Sequence, residues 1–510
     1  MNRMLRLVSC ACAAGVVALS MPIAQPRARV QNANEVSVLT PDSARAAALM
    51  RAFEEGLPYV PGELLVRFKS GVTQRQGESA LTVLRSTITP DNASYLGPVL
   101  HLHDLTIDDP VRAAEALARQ PEVLYAQPNY LHSVDAVPND TGYSRQWNLN
   151  LINMPQAWDI NRTAGGGVTV AVIDSGLTTR DGTFNFRVWQ GSNGFVTTPI
   201  PFAKAADFDH NRVLTGIDLQ TFGPWQTPTG EPLIFDTHGH GTHVSGTIAQ
   251  QTNNAAGYAG VANGVTLMPI KACFSAWDVQ LYSNHVLNQP GFATGPTGTL
   301  CPTNAVVGGI RYAADNGAKV INISLGGTAT QPAELDALTY AVSKGTFVAI
   351  SAGNDGQIGS PTHYPAAYAT QLAGVMAVAA LGPTRERSRY SNSGSYVEIA
   401  APGGAGSGFP AADQVWQMGP NQADLLLAPA RVAPAFNRYS DLAFAGTSMA
   451  APHVSALAAL LYNQGITKPA AIEAAIKRFA QDLGAPGRDD EYGHGVIDAR
   501  ATLRGLGAAR

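Results

Sequence analysis

From residue 147 onward, continuously apolar runs alternate with segments in which apolar residues recur every three or four positions. Strands that are apolar on both faces and separated by helices are typical of a parallel sheet covered by helices on both sides. The runs are VTVAVID at 168–174, VTLMPIKAC at 265–273, VINISLGG at 320–327 and TFVAISAGN at 346–354. The pattern predicts an α/β domain of three layers around a central, mostly parallel sheet.

A helix is predicted from Ser448 to about Gln464, and it is apolar almost all round, so we expect it to be buried through the middle of this domain. A last amphipathic helix is predicted over 469–481, before a short tail with no further domain. The segments 181–234 and 405–443 are rich in Gly, Pro and Asn, which predicts surface loops. These two segments are called the first and the second insertion, and the sequence assigns them no role.

A smaller pattern of strands and helices precedes the main domain and predicts a separate α+β domain over residues 61–135, with the main domain at 136–510. Residues 25–60 begin with a polar stretch and continue with a predicted helix. Thr40 caps this helix, Pro41 is its first residue, and it ends near Glu55. The segments of the small domain are GELLVRF at 62–68, LGPVLHLHDL at 96–105, the helical VRAAEALARQ at 111–120 and VLYAQPNYLH at 123–132.

Residues 1–24 have the composition of a secretory signal peptide, with Arg3 and Arg6, an apolar run and small residues near Ala24. We therefore expect a secreted protein, extracellular or periplasmic, without a membrane anchor. LVSC at 7–10 resembles a lipoprotein box, but almost no apolar segment precedes it. Charged residues make up 14% of the chain and the net charge is -4, so no basic field for nucleic acid is present.

Four cysteines are present, and two of them, Cys10 and Cys12, lie in the predicted signal segment. Cys273 and Cys301 remain, and two cysteines in an oxidising compartment predict a disulfide. Two free buried thiols are the alternative. A bridge between them would stabilise the fold by roughly 3 to 4 kcal/mol in the chain-entropy description.

The segment GTSMAAPHV at 446–454 places Ser448 between small residues, just ahead of the long apolar helix. A serine hydroxyl is a weak nucleophile and needs a base, which a third group orients. Asp174 ends an apolar run and His240 opens HGTHVSGT, so both partners are at hand in the order Asp, His, Ser. The sequence therefore predicts a serine nucleophile that is activated by a histidine base and an orienting carboxylate.

Two neighbouring histidines compete with this assignment. His238, His240 and His243 have a spacing that also permits a metal site, for which Asp236 is the carboxylate nearest in sequence. No metal is assigned on this ground, because the intervening glycines would leave such a site mobile.

The three segments, together with NISLGG at 322–327 and SAGND at 351–355, resemble the subtilisin-like serine peptidases, the subtilase family. The matches run from about Pro138 to Ala499. The resemblance implies a subtilisin-like three-layer fold and a secreted serine endopeptidase of broad specificity that processes itself and needs no cofactor for its chemistry. It also implies polypeptide substrates, and we expect a monomer.

The resemblance carries over to individual residues. The first histidine of HGTH, His240, would be the base, and Asn354 would stabilise the oxyanion beside the Ser448 N–H group. Asp355, which follows, is expected at the rim of the S1 pocket. The residues expected to contact the substrate backbone or to line the S1 pocket are Ser324, Leu325, Gly326, Ser351, Ala352 and Gly353.

The loop at 252–262 resembles a calcium-binding loop of subtilases, with Asn254 where a ligand amide belongs. The family's carboxylate ligand is missing, because Thr183 stands in its place, and Asp181 is a substitute. Structural calcium is therefore an open expectation.

The domain at 61–135 resembles the propeptide of secreted subtilases, which implies that it acts as folding chaperone and intramolecular inhibitor. A permanent accessory domain is the alternative.

Two other functions compete with an active peptidase. An α/β-hydrolase esterase also places its serine between a strand and a helix, but it requires G-x-S-x-G and the order Ser, acid, His. Here Ala450 replaces the last glycine and the order is reversed. A catalytically inactive secreted binding protein of the same fold is the other alternative, against which the complete set of catalytic residue types argues.

Overall fold

The computed structural model describes residues 43–55, 57–85, 92–131, 137–189, 193, 195–219, 233–283, 299–425 and 434–507. The predicted signal peptide, with Cys10 and Cys12, and the predicted helix cap at Thr40 lie outside the described residues. The chain divides into two compact units, Met1–Leu131 and His132–Arg510. The predicted domain boundary at 135/136 also lies outside the described residues.

The first unit is a small α+β domain, as predicted. Its strands form one antiparallel sheet in the order β2-β3-β1-β4, with Leu64 of β1, Leu102 of β3 and Leu117 of α3 in its core. Helix α3 begins at Pro110 because the Asp109 side chain accepts two backbone N–H groups of the first turn. The elements are α1 Ser43–Glu55, β1 Tyr59–Phe68, α2 Gln74–Leu81, β2 Ala93–Leu96, β3 Val99–His103, α3 Pro110–Ala118 and β4 Val123–Tyr130.

The second unit contains a seven-stranded sheet in the order β13-β12-β11-β10-β5-β9-β8, whose neighbouring strands all run parallel. Every residue of β10 to β13 is buried, which requires cover on both faces. The predicted fold class is confirmed. The strands of this unit are β5 Thr169–Asp174, β6 Gly182–Trp189, β7 Phe195–Phe202, β8 Ile217–Asp218, β9 Thr266–Lys271, β10 Val320–Ile323, β11 Phe347–Ser351, β12 Val375–Leu381, β13 Ile399–Pro402, β14 Val415–Pro420 and β15 Tyr439–Phe444.

The helix that carries Ser448 is buried from Thr447 to Tyr462, as its apolar circumference predicts. Within the described ranges, no helix combines the length and the apolar character that a membrane crossing requires. The helices are α4 Trp147–Leu151, α5 Met154–Ile160, α6 His240–Ala249, α7 Ala276–Ser283, α8 Thr303–Asp315, α9 Pro332–Ser343, α10 Gln422–Leu425, α11 Thr447–Asn463, α12 Pro469–Phe479 and α13 Ala499–Gly507.

The prediction of surface loops is wrong for parts of both insertions. β6 pairs with β7, and β14 pairs with β15, each as an antiparallel hairpin. Phe202 of the first insertion stacks on Phe235 and on Phe436 of the second, with ring centroids 3.8 and 4.8 Å apart. Aromatic and β-branched residues recur at alternate positions in GTFNFRVW and FVTTPIPF, which is a strand signal that Gly182 and the prolines at 199 and 201 inside these strands obscured.

Cys273 and Cys301 are joined by a disulfide, as predicted. The bridge connects the segment after β9 with the residues just ahead of α8, across a sequence separation of 28. Both cysteines border the cleft at the carboxyl ends of the strands. The crosslink therefore braces one side of that cleft.

Candidate active site

The residues singled out by the sequence collect at one edge of the parallel sheet. Asp174 is the last residue of β5, Ser324 follows β10, and Ser351 ends β11, so neighbouring strands deliver them to the same edge. Helices α6 and α11 begin there as well. One cleft of about 560 Å³ is lined by all but one of the residues predicted to act in catalysis, to stabilise the oxyanion or to contact the substrate. The exception is Ala352, which is fully buried between Ser351 and Gly353.

Asp174 and His240 form the first half of the predicted triad. The His240 Nδ1 group hydrogen-bonds to Asp174 Oδ1 at 2.7 Å, and the aspartate side chain is almost fully buried. Burial by itself lowers the pKa of His240, but the charge and hydrogen bond of Asp174, with a contribution from Asp236, outweigh it, so the pKa lies above its usual value. The pair can therefore hold a proton on the imidazole.

Ser448 lies in the same cleft, with its hydroxyl turned toward the chain that follows β10. It donates to the Ser324 carbonyl oxygen at 3.1 Å, and among the described residues it makes no hydrogen bond to His240. In return, Ser324 Oγ donates to the Ser448 carbonyl oxygen at 2.8 Å. That carbonyl is free because Pro452, four residues on, has no N–H group to offer it. A rotation of the Ser448 side chain is needed to reach the imidazole.

Asn354 is held in one orientation by the start of α11. Its Oδ1 atom accepts from both the backbone N–H and the hydroxyl of Thr447, each at 2.9 Å. Because a backbone N–H can only donate, the oxygen must lie on this side, and the Nδ2 group is the other end of the amide. The Thr447 N–H is thus taken, and the Met449 N–H donates to the Gly446 carbonyl at 2.9 Å, so Nδ2 and the Ser448 N–H are the donors that the described contacts leave beside the Ser448 hydroxyl.

Asp236 is a positioning residue that the sequence considered only as a metal partner. Its two oxygens accept from the hydroxyls of Ser175 and Thr242 and from the backbone N–H groups of residues 238, 239 and 242. Although burial opposes ionisation, these donors and the charge of Lys271 lower the pKa of Asp236 below its usual value. The carboxylate thus anchors the N-terminus of α6 and, with it, His240.

A buried ion pair lies next to Ser175, whose hydroxyl contacts Asp236. Lys271 and Asp278 are both fully buried, and Lys271 Nζ lies 3.2 Å from Asp278 Oδ2 while it donates to the Ser175 carbonyl at 2.7 Å. A lysine inside the apolar run of β9 was the sequence signal for it. Removing one partner alone would leave an uncompensated buried charge.

The alternative of a metal site at the three histidines finds no support in these contacts. His240 is engaged with Asp174, and the oxygens of Asp236 are taken by N–H and O–H donors. His243 Nε2 donates to the Val415 carbonyl at 3.0 Å, and burial lowers the pKa of His243 to about 3. Within the described residues, no group of three or more His, Cys, Asp or Glu side chains is arranged to hold a metal ion.

His363 lies between the two predicted walls of the S1 pocket and was missed by the sequence. A Cβ atom added to Gly326 would come within 2.4 Å of the imidazole, and one added to Gly353 within 2.9 Å. Both walls therefore need glycine for the ring to fit. Burial lowers the pKa of His363, against the opposing charge of Asp355, so this imidazole is neutral at pH values near 7.

The calcium-like loop brings together oxygen atoms that suit a hard cation. Asn254 Nδ2 donates to Asp207 Oδ1 at 2.7 Å, and Asp140 Oδ2 accepts the backbone N–H of Asn253 in the same loop at 2.9 Å. The second oxygen of Asp140 is buried without a hydrogen-bond partner. Burial raises the pKa of Asp207 to about 6, and the nearby Asp140 charge adds to this. The two carboxylates are oxygen groups of the kind that Ca²⁺ prefers, whereas the Asn254 amide turns its Nδ2 group toward Asp207 and its Oδ1 atom accepts the Ala256 N–H at 3.0 Å.

The carboxylate beside this loop is not the one that the sequence suggested. Asp181 accepts the backbone N–H of Lys204 at 2.8 Å, whereas Asp207 touches Asn254 and packs on Gly257. Asp207 lies within the first insertion, where chain length alone does not predict which residue returns to the loop. Asp207 is thus the carboxylate that contacts Asn254, and a calcium-binding role for Asp181 stays a prediction.

Comparison with known proteins identifies both units. Residues 165–495 match the subtilase family, and residues 49–129 match the fervidolysin N-terminal prodomain. A thermophilic serine proteinase from Bacillus sp. strain AK1 is 30% identical over 89% of this chain and 90% of its own length. An extracellular protease from Xanthomonas campestris is 29% identical over 86% of this chain and 72% of its own length.

Among solved structures, a protease from Pseudoalteromonas arctica superimposes with a TM-score of 0.52 at 27% identity, over 72% of this chain and 99% of its own. The family match covers well over half of the chain and includes the cleft residues described above. The chain thus belongs to the subtilase family of serine peptidases and carries an N-terminal prodomain.

Proposed function

We propose that this subtilase is a secreted endopeptidase that cleaves extended polypeptides through an Asp174–His240–Ser448 triad and an acyl-enzyme. The observation that carries the proposal is the 2.7 Å hydrogen bond from Asp174 to His240 in the cleft that also contains Ser448. Such a pair gives the serine a base that is already oriented.

The mechanism begins with rotation of the Ser448 hydroxyl from the Ser324 carbonyl toward His240 Nε2. His240 takes the hydroxyl proton as Oγ attacks the scissile carbonyl, and later gives it to the leaving amine. Asp174 keeps the Nδ1 proton in place and stabilises the imidazolium. The Ser448 N–H and Asn354 Nδ2 donate to the oxyanion, and in subtilisin one such side-chain donor contributes about 10²- to 10³-fold to kcat. Water then hydrolyses the acyl-enzyme.

Substrate would pair with the segment at 324–326 as an added antiparallel strand. Backbone hydrogen bonds supply the affinity in this binding mode, so sequences of many kinds can be accepted. Ser324, Leu325 and Gly326 would bind one side of the substrate, and Ser351 and Gly353 would form the opposite wall of the S1 pocket, with the buried Ala352 behind them. Broad specificity is the result.

The proposal has three further parts: the role of the prodomain, secretion of the protein and binding of a structural calcium ion. The unit that matches the fervidolysin prodomain would act as chaperone and as intramolecular inhibitor until the enzyme cuts it off. The extracellular relative and the predicted signal segment support secretion. Asp140 and Asp207, together with Asn254 after its amide has turned so that the oxygen faces them, would hold a structural calcium ion, which takes no part in the chemistry.

A serine-directed phosphonylating reagent tests the proposal. We expect purified mature protein to hydrolyse an unfolded protein substrate, and the reagent to abolish this activity while adding one label on Ser448, located by mass spectrometry of peptides. Among the serines that the structure describes, only Ser448 combines a base in its cleft with a helix N-terminus. A label on another serine, or full activity after Ser448 is labelled, would contradict the mechanism.

The same experiment separates the alternatives. A serine esterase would hydrolyse activated esters but leave the unfolded protein intact, and an inactive binding protein would take up no label. The order Asp, His, Ser in the chain and the oriented Asn354 amide favour the peptidase.

The pH dependence of kcat/KM should reveal the His240 titration. Only the neutral imidazole can accept the Ser448 proton, so activity should fall as the pH drops through the pKa of His240. Since Asp174 raises that pKa, we expect the midpoint of the acid limb above about 6.5. Initial rates on one peptide from about pH 4 to 9 measure it. A profile that stays flat to the lowest pH would remove His240 as the base.

A further inference from the structure

Glu334 is a buried carboxyl in the wall of the cleft that the triad mechanism does not use. It lies in the first turn of α9 and is 5% exposed. Together with Ala337, Leu338 and Ala341 it forms the buried face of this helix, a spacing that calls for an apolar residue at position 334. An ionisable group therefore stands where packing alone would place an aliphatic side chain.

The carboxyl has no partner that would justify its burial. Its Oε2 atom is buried and makes no hydrogen bond within the described part of the chain. Burial alone raises the pKa of Glu334 to about 7, with no donor or cation opposing it. An unpaired buried carboxyl is costly, and the favourable dipole of the helix N-terminus supplies only part of the compensation.

The cleft around Glu334 has the charge that suits a cation. Among the described residues that line it, three are carboxylates, Asp174, Glu334 and Asp355, and none is lysine or arginine. Asp174 is engaged with His240, and Asp355 influences His363 beside the S1 walls. Glu334 is therefore the carboxyl of the cleft that remains for a side chain other than P1.

Chain direction indicates which side of the substrate Glu334 meets. Ser324 contacts Ser448 through two hydrogen bonds, and the chain then runs through 325–331 to α9. An antiparallel substrate whose scissile bond lies at Ser448 therefore has its upstream residues along 326–331. Glu334, at the end of this path, is on the side of the residues that precede P1.

We propose that Glu334 is a specificity-determining residue that binds a lysine or arginine side chain of the polypeptide substrate upstream of P1. The inference rests on the proposed peptidase function. The cationic side chain would donate hydrogen bonds to the unpartnered carboxylate and replace the missing counter-charge. Because hydrogen bonds to charged groups contribute about 1.5 to 3 kcal/mol, such a contact corresponds to a preference of about tenfold or more in kcat/KM.

Quenched fluorescent peptides with a constant P1 leucine test the proposal. Lysine, norleucine or glutamate is placed at P2, P3 or P4, one position at a time, and active enzyme is counted by phosphonate titration of Ser448. We expect the parent to prefer lysine to norleucine by about tenfold at one of these positions. Glu334→Gln and Glu334→Leu should bring this ratio close to one; glutamine preserves the shape and leucine suits the buried helix face.

Asp336→Asn is the matched control, because Asp336 is an exposed carboxylate on the same helix. This variant should keep the lysine preference of the parent. The proposal is overturned if the parent cleaves the peptides without preferring lysine at any position, or if both Glu334 variants keep the preference. If the parent cleaves no peptide and takes up no label, the proposed peptidase function fails, and this inference fails with it.

Discussion

The Ser448→Ala variant, expressed alone, should lose essentially all peptidase activity and accumulate with its prodomain attached. Loss of the nucleophile lowers kcat by about 10⁶-fold in a subtilisin triad. The fold should tolerate the change, since the hydroxyl makes one hydrogen bond, to the Ser324 carbonyl. With no active copy present, nothing in the preparation can cut the chain between the prodomain and the catalytic unit.

The position of the cut follows from contacts around the start of the catalytic unit. From the sequence we expect cleavage between Ser133 and Arg145. Gly142 and Gln146 are hydrogen-bonded to the backbone at 257 and 259, and Asp140 to the backbone of Asn253, so this segment is part of the folded unit. An extended segment must enter the cleft, and we therefore expect the mature N-terminus of the parent protein within 133–138.

N-terminal sequencing and intact-mass measurement of the parent and Ser448→Ala proteins show whether the prodomain is removed and where the cut lies. Ser343→Ala is the matched control, because Ser343 is an exposed serine at the end of α9, and it should mature like the parent. If Ser448→Ala still yields an N-terminus within 133–138 in a host without other peptidases, self-processing is wrong even if the triad is right.

Asp174→Asn should lower kcat by about 10⁴-fold while leaving substrate binding nearly intact. The neutral amide offers Nδ1 of His240 either an uncharged acceptor or a donor that favours the wrong tautomer. In both cases the imidazolium that forms as Ser448 attacks loses its counter-charge. The side chain is buried and nearly isosteric, so the loss should appear in kcat rather than in KM.

The pH profile distinguishes this role from a structural one. The Asp174 charge is what raises the pKa of His240, so in Asp174→Asn the acid limb of the residual activity should move to lower pH than in the parent. A merely destabilised enzyme would keep the parental midpoint and lose active sites in the phosphonate titration. Such a result would remove Asp174 as the orienting carboxylate.

Much of the fold was predictable, because buried strands and helices require apolar residues at characteristic spacings along the sequence. The strands β5, β9, β10 and β11 are apolar on both faces, and α11 is apolar all round, so their place in the centre of the domain followed from the residues alone. The hairpins of the two insertions were missed, because Gly and Pro residues within and beside their strands obscured the alternation that marks them.

The residues of the candidate site also fall into two groups, those that the sequence predicted and those whose roles came from the tertiary structure. Asp174, His240, Ser448 and Asn354 stand in short segments whose residue types indicate their chemistry, so the sequence by itself was enough to predict their roles. Only the tertiary structure decided that Asp236 anchors α6, that Asp207 rather than Asp181 faces the calcium-like loop, and that His363 fills the space between two glycine walls.

Glu334 belongs to this second group. Its position on the buried face of α9 is visible as a break in the apolar period, but the sequence alone does not reveal that the cleft lies against it. The physical reason is common to all these residues. Local sequence records whether a position is buried, whereas the contact that gives a buried polar group its role comes from segments far away in the chain and exists only once the strands and helices have packed.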